Sequence, residues 1–265
     1  MSAASAASAA KRVATAAYDT QKHRLLVVGG NGFVGSNILQ RAVQKGIEVR
    51  SLNKSGKPQW QDVPWIDQVE WQQGDVFNSD DLAKAVDGVT GVITTVGAFG
   101  DNEFMEKMCG DANILAVNAA KKAGVDRFVF ISNSRVGCSI PSWAPLYGYY
   151  HGKERAETAV RGSFPNAGVS LRPGFIYGLR RTNSYSIPLQ LFGGPMSLVA
   201  RNLGPVSSVI TKIPLFGHEL EAAVPVAAVA KAAVLSAMGP VSGQTLDTTA
   251  MLSLAASFHD TFHET

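Results

Sequence analysis

Cysteine is scarce: Cys109 and Cys138 are the only two in 265 residues. Two thiols do not make a disulfide scaffold, and their placement matches no zinc motif, so a reducing compartment is expected. A strong charge of one sign is also missing. The net charge of +3 is too mild to argue for a nucleic-acid partner. No continuous apolar run reaches the ~18 residues expected of a spanning helix. The nearest, Ala222 to Met238, is interrupted by Pro225 and Lys231 and rich in alanine, and reads as a packed soluble helix. Among the five histidines only His259 and His263 are four apart, and no glutamate completes a metalloprotease pattern between them. No metal is expected. Acidic residues are absent before Asp19.

What is present is core-forming material. Hydrophobic residues make up 46% and charged residues 17%, enough for a large core in one α/β domain. The first residues, Met1 to Ala17, are almost all Ala and Ser, with Lys11 and Arg12. Residues 1–22 therefore read as an organellar transit peptide or as a disordered low-complexity tail.

The informative stretch is Arg24 to Gly35. Leu25 to Val28 is an apolar run of strand length, followed by Gly29, Gly32 and Gly35. Phe33, Val34, Ile38 and Leu39 then fall at helical spacing. Strand, glycine turn and helix are the context of a dinucleotide-binding fingerprint. Gly29 permits the turn, Gly32 lets the backbone approach a pyrophosphate, and Gly35 lets the helix pack on the strand. The helix N-terminus supplies free N–H groups to that phosphate. The alternative is a glycine-rich loop without a ligand.

Downstream, apolar strands alternate with helices. Strands are expected at 48–52, 69–72, 89–96, 127–132 and 169–171. Helices are expected from Ser79, as N-cap, to about Val86, over 102–123, over 147–161 and over 226–238. Residues 244–248 form a final strand, and 251–263 a short helix or frayed tail. Such alternation implies a doubly wound, mostly parallel sheet. Residues 23–173 are the expected dinucleotide-binding core. Residues 174–225, rich in Gly and Pro, form a small C-terminal substrate lobe. Residues 226–265 close the domain. Within the lobe, 187–216 mixes Leu191, Phe192, Met196 and other apolar groups with Arg201 and Lys212. An apolar substrate, an interfacial segment and ordinary packing all fit that composition.

Tyr149 and Lys153 lie four apart on one helical face. An ammonium beside a phenol favours the phenolate, which makes the tyrosine usable as an acid or base near neutrality. Ser132 and Ser134 follow the preceding strand and offer a hydroxyl to a carbonyl. At the end of the second strand Asn53 stands where an NAD site carries a carboxylate, and Lys54 and Lys57 follow. This favours NADP(H), with NAD(H) as the alternative and a solvated lysine loop as the plain reading. Cys109 reads as packing. Arg180 and Arg181 read as anion contacts or exposed loop charges.

These motifs together resemble the short-chain dehydrogenase/reductase superfamily, in its atypical or extended branch. The resemblance rests on Gly29 to Gly35, Gly74-Asp75-Val76, Phe128 to Ser132, Tyr149-x-x-x-Lys153 and Leu171-Arg172-Pro173-Gly174. Gly148 to Glu157 is similar to a mitochondrial subgroup that includes the dehydrogenase-like accessory subunit of respiratory complex I and a coenzyme Q biosynthesis protein. The resemblance implies a Rossmann fold and a nicotinamide dinucleotide. Gly29, Gly32, Phe33, Val34 and Gly35 would sit at the pyrophosphate, Asn53 and Lys54 at the adenosine ribose, and Asp75 and Val76 at the adenine. Ser132, Tyr149 and Lys153 would be catalytic, with Ser134 the runner-up to Ser132. Lys153 would also hold the nicotinamide ribose, and Pro173 and Gly174 would lie beside the ring. Ala227 and Ala228 stand where many relatives carry Asp, which weakens any inference of a shared substrate.

Three functions follow as expectations. The first is an oxidoreductase acting on an apolar, quinone- or isoprenoid-related carbonyl or alcohol in an organelle, the mitochondrion before the chloroplast. The second is a non-catalytic nucleotide-binding accessory or assembly subunit of mitochondrial complex I or of the coenzyme Q biosynthesis complex. The third is a redox-sensing regulator of the same fold.

Overall fold

The computed structural model describes residues 22–60, 63–181, 186–188, 223–239, 241 and 243–261. Its centre is a seven-stranded parallel sheet: β1 (Arg24–Val28), β2 (Glu48–Asn53), β3 (Val69–Gln73), β4 (Gly91–Thr94), β5 (Arg127–Ile131), β6 (Gly168–Arg172) and β11 (Gln244–Asp247). The spatial order is β11-β6-β5-β4-β1-β2-β3. The order therefore reverses between β1 and β4, which opens a crevice beyond the carboxyl ends of the strands. β1 pairs with β2 through Leu25–Val49 to Val28–Leu52, and with β4 through Leu25–Gly91 to Val28–Thr94.

Helices cover both faces. They are α1 (Phe33–Gln44), α2 (Ser79–Val86), α3 (Asn102–Glu106), α4 (Ala112–Lys122), α5 (Tyr147–Ser163), α6 (Val226–Met238) and α7 (Thr248–Thr261). The period-two alternation of the strands divides the core. Leu25, Val27, Val129 and Ile131 face α1, α6 and α7, whereas Leu26, Val28, Phe128 and Phe130 face α2, α4 and α5. Small pieces complete the described structure: β7 (Ile176–Tyr177) pairs with β10 (Val224–Pro225), and β8 (Leu179–Arg181) pairs with β9 (Ser186–Pro188). No described helix is long and apolar enough to cross a membrane. The terminal segment 1–21, most of the 174–225 lobe and its apolar run lie outside the described residues, as do the side chains of His259 and His263.

Three expectations change. The α2 N-cap is Asn78, not Ser79: its carboxamide oxygen accepts from the N–H groups of Asp80 and Asp81. The strand expected over 89–96 is only Gly91–Thr94. The single helix expected over 102–123 is interrupted by a π-helical turn, Lys107–Asp111, between α3 and α4. Asn113 holds that turn, since its Nδ2 donates to the carbonyls of Cys109, Met108 and Val96 while its Oδ1 accepts from the Thr94 hydroxyl. Wider turns of this kind cluster at functional sites.

The π turn faces α5, and glycine allows the close approach. A Cβ on Gly148 would lie 1.9 Å from the Asn102 carbonyl oxygen, and one on Gly110 would lie 3.0 Å from Gly152 Cα. Gly162, near the exposed end of α5, is different: a Cβ there would have no neighbour within 4 Å. Gly148→Ala should therefore lower stability by about 1–3 kcal/mol through overpacking. Gly162→Ala should raise it by up to about 1 kcal/mol. Urea midpoints of the two variants should move in opposite directions, and a common direction would contradict the packing described here.

Candidate functional site

The glycine turn follows from β1 ending under the sheet crevice. Gly29 has φ +89°, and a Cβ there would lie 2.8 Å from Thr95 Oγ1. A Cβ on Gly35 would lie 2.3 Å from Gly29 O, and one on Gly30 would lie 2.1 Å from Ser51 Oγ. The loop is thus pressed against its own backbone and against β2. Thr95 Oγ1 donates to the carbonyls of Val28 and Gly29. Asn31 Nδ2 lies within hydrogen-bond distance of Asn53 Oδ1, Ser55 Oγ and the Gly56 carbonyl. The buried Asn31 Oδ1 has no hydrogen-bond partner.

The α1 N-terminus opens directly from this loop. Its N-cap, Gly32, has no side chain to occupy the first N–H groups, and no acidic residue lies in the first turn. Those N–H groups and the dipole end suit an anion. A cradle in which Gly29, Gly30 and Gly35 leave no room for a Cβ, at a helix start without a side-chain cap, fits the pyrophosphate of a dinucleotide.

At the positions expected to face the adenosine, Asn53 is tied to Asn31 and donates to Ser51 Oγ. Lys54 Nζ lies 3.1 Å from Asp75 Oδ2, and Lys57 Nζ lies 2.6 Å from Asp67 Oδ1. A hydrogen bond from the Phe77 N–H, against the opposing effect of desolvation, together with Lys54 holds the Asp75 carboxyl below its ordinary range. Val76 is buried in the core between α2 and α4. Phe33 approaches Gly178, and Val34 packs on the core.

The other end of the crevice holds the second motif. Lys153 is 4% exposed, and its Nζ donates to the Ile131 carbonyl at 2.7 Å. It lies 5.2 Å from the Tyr149 ring centroid and 4.9 Å from that of Phe130. Burial pushes the Lys153 pKa down, while Cys109 and Glu157 oppose that fall. Tyr149 is half-buried, with Phe99 stacked on it at 5.1 Å and Tyr150 edge-on at 5.3 Å. Cys109 is fully buried and points its thiol at the Ala98 carbonyl, a packing position.

The structure places the two serines differently. Ser132 is buried and donates to Glu157 Oε1 at 2.5 Å. Its hydroxyl is turned into the protein, away from the expected role toward a carbonyl. Ser134 is half-buried, and its N–H donates to the Pro173 carbonyl at 2.9 Å. Pro173 and Gly174 are buried at the β6 end, with Gly174 N–H donating to Thr248 Oγ1. Arg180 is exposed. Asn31, Thr95, Phe99, Asn113 and Glu157 were not among the expected site residues. Asn31 was detectable by its place inside the glycine motif, and Glu157 by standing one turn after Lys153.

A doubly wound parallel sheet with a glycine cradle at its switch point, and Tyr-x-x-x-Lys at the far side, defines an NAD(P)-binding Rossmann protein of the short-chain dehydrogenase/reductase type. The chain belongs to the NAD(P)H-binding family, whose model matches residues 29–188, more than half of its length. It is 44% identical over 183 residues to an uncharacterised chloroplastic protein of Arabidopsis thaliana, covering 68% of this chain and 60% of that protein. It is 33% identical over 138 residues to a 3 beta-hydroxysteroid dehydrogenase/Delta 5-->4-isomerase of Mycobacterium tuberculosis, covering 48% of this chain and 36% of the relative. The chain thus spans less than two thirds of either relative. The NAD complex of Thermus thermophilus UDP-glucose 4-epimerase shares the fold, with a TM-score of 0.59, 20% identity, and coverage of 88% of this chain and 82% of that one.

The buried ammonium gives a pH-dependent prediction. The folded pKa of Lys153 lies below its unfolded value of about 10.4, so the unfolded chain binds more protons between the two. The cost of burying Lys153 is therefore full below the folded pKa and fades as pH rises toward the unfolded one. Lys153→Met should melt higher than the parent at pH 7, with the gap closing toward pH ~10. Thermal melts across that range check it; a gap that widens with pH would contradict it.

Proposed function

We propose that the chain is an NADP(H)-dependent oxidoreductase acting on an apolar carbonyl or alcohol, quinone- or isoprenoid-related, in an organelle. One observation carries the reading: Lys153 is fixed by the Ile131 carbonyl against the Tyr149 ring, at the crevice that also holds the glycine cradle. A bound reduced nicotinamide would supply the hydride to a carbonyl carbon. The Tyr149 hydroxyl would give its proton to the carbonyl oxygen, and the Lys153 ammonium would favour the resulting phenolate. Lys153 would also reach the nicotinamide ribose. Pro173 and Gly174, buried at the β6 end, would wall the ring. With Ser132 turned onto Glu157, Ser134 is the hydroxyl we place toward the substrate.

For the cofactor, the carboxylate that would repel a 2′-phosphate is absent from the end of β2, where Asn53 stands. Lys54 would exchange Asp75 for that phosphate. An apolar substrate is supported by the mycobacterial relative, whose name is that of a steroid dehydrogenase. The organelle is supported by the composition of the first residues. Of its two locations, the mitochondrion is the first reading, and the chloroplastic name of the Arabidopsis relative supports the second.

The second reading, a non-catalytic nucleotide-binding subunit, is favoured by the Ser132 hydroxyl being held by Glu157 rather than turned toward a substrate. Calorimetric titration and turnover separate the two. NADPH should bind more tightly than NADH, and Lys54→Ala should narrow the difference. With a short-chain ubiquinone analogue as acceptor, Tyr149→Phe should cut NADPH oxidation by about 100-fold or more while changing NADPH affinity little. Unchanged oxidation in Tyr149→Phe, or NADPH binding without any turnover, would favour the accessory subunit.

A further inference from the structure

The carboxylate one turn beyond Lys153 is fully buried. Glu157 on α5 is 0% exposed, yet it belongs to no expected site. Its Oε1 accepts from Ser132 Oγ at 2.5 Å and from Arg172 Nε at 2.8 Å, and its Oε2 accepts from Arg172 at 2.6 Å. Arg161, a further turn along the helix, lies 3.5 Å from Oε2 and is mostly exposed. The carboxylate therefore joins three elements: α5, the residue just after β5, and the last residue of β6.

Those attachment points are adjacent to the site. Ile131, whose carbonyl holds Lys153, immediately precedes Ser132, whose hydroxyl is held by Glu157. Arg172 immediately precedes Pro173, whose carbonyl accepts from Ser134 N–H. Tyr149, Lys153 and Glu157 stand at successive four-residue steps, on one face of α5. The Ile131–Ser132 pair thus takes a hydrogen bond from one side chain of that face and gives one to the next.

We propose that Glu157 is a positioning residue for the Tyr149–Lys153 pair: its carboxylate locks the ends of β5 and β6 to α5 and supplies the anion that balances the buried Lys153 ammonium. This rests on the assignment of Tyr149 and Lys153 made above. A buried ion pair is a weak device for stability alone, because desolvation offsets the attraction. Here the arrangement is more specific than an ion pair, because one carboxylate serves a hydroxyl and a two-pronged guanidinium, one helical turn beyond the ammonium.

The charged and titratable groups around the pair define the test. Lys153 faces Tyr149 and Glu157 on its own helix and Cys109 on the π turn. Glu157 faces Ser132, Arg172 and Arg161. Arg172 also feels Glu154 and Cys138. Loss of the Glu157 charge removes a carboxylate that opposes the effect of burial on Lys153, and loss of the Arg172 charge removes a competing cation.

The experiment is a lysine side-chain NMR titration of the full chain, with the Lys153 signal assigned by its loss in Lys153→Arg. Glu157→Gln should lower the Lys153 midpoint by about one pH unit or more. Glu157→Asp, which keeps the charge, should restore most of that shift. Arg172→Gln should raise the midpoint, and it tests the proposal even where Glu157→Gln fails to fold. A midpoint unmoved in the variants that fold would overturn the proposal and leave Glu157 as an internal brace for Arg172. The titration needs no cofactor. Absent NADPH binding with the midpoint shifts intact would sink the functional reading alone, and normal NADPH binding with unmoved midpoints would sink the role of Glu157 alone.

Discussion

A lysine ammonium with 4% exposure has to be held by something, and in this fold three groups on two elements share the task. β5 contributes the Ile131 carbonyl and the Phe130 ring, and α5 contributes the Tyr149 ring. An uncompensated ammonium in such a place would deprotonate or drag its helix toward water. The position of α5 against the sheet is therefore tied to the chemistry of one side chain. The carbonyl that holds Lys153 belongs to the central half of the sheet, so the motif and the glycine cradle are mounted on one sheet.

The same constraint explains the approach of α5 to the α3–α4 segment. Gly148 meets the Asn102 backbone, and Gly152 meets Gly110, so the helix sits deep enough to bring Lys153 to the strand end. Asn102 adds an anchor: its Oδ1 accepts from the Gly148 N–H, and its Nδ2 donates to the Ala144 carbonyl. The residue before α5, Leu146, has φ +68°, a left-handed conformation that disfavours a branched side chain. The chain thus bends sharply into α5 and is then fastened by a neighbouring helix. At the other end of the crevice Asn31 and Thr95 play the comparable part for the glycine loop, fastening it to β2 and to the end of β4.

The parts legible in sequence were those encoded locally. β1, the glycine turn and α1 are contiguous, and their apolar spacing changes from a continuous run to a helical period within a few residues. α6 was equally plain over Val226–Met238, bounded by proline before it and glycine after it. The π turn was not legible, because Met105, Met108 and Ala112 keep an apolar face through it and its cause is the side chain of Asn113, buried against β4. Ser79 and Asn78 are both cap-forming residues, and which one reaches two N–H groups is decided by backbone angles. The orientation of Ser132 depends on Glu157, twenty-five residues away, and the pairing of Lys54 depends on Asp75, twenty-one residues away. Partners brought together by the sheet leave no mark on local spacing.

The central claim is directional: pyrophosphate over the start of α1, nicotinamide toward Tyr149 and Lys153. A crystal structure of the chain with NADPH tests it most directly. The pyrophosphate should accept hydrogen bonds from N–H groups at the start of α1, and Lys153 Nζ should lie about 3 Å from a hydroxyl of the nicotinamide ribose. A nucleotide bound with its nicotinamide away from Tyr149, or outside the Gly29–Gly35 cradle, would contradict the account.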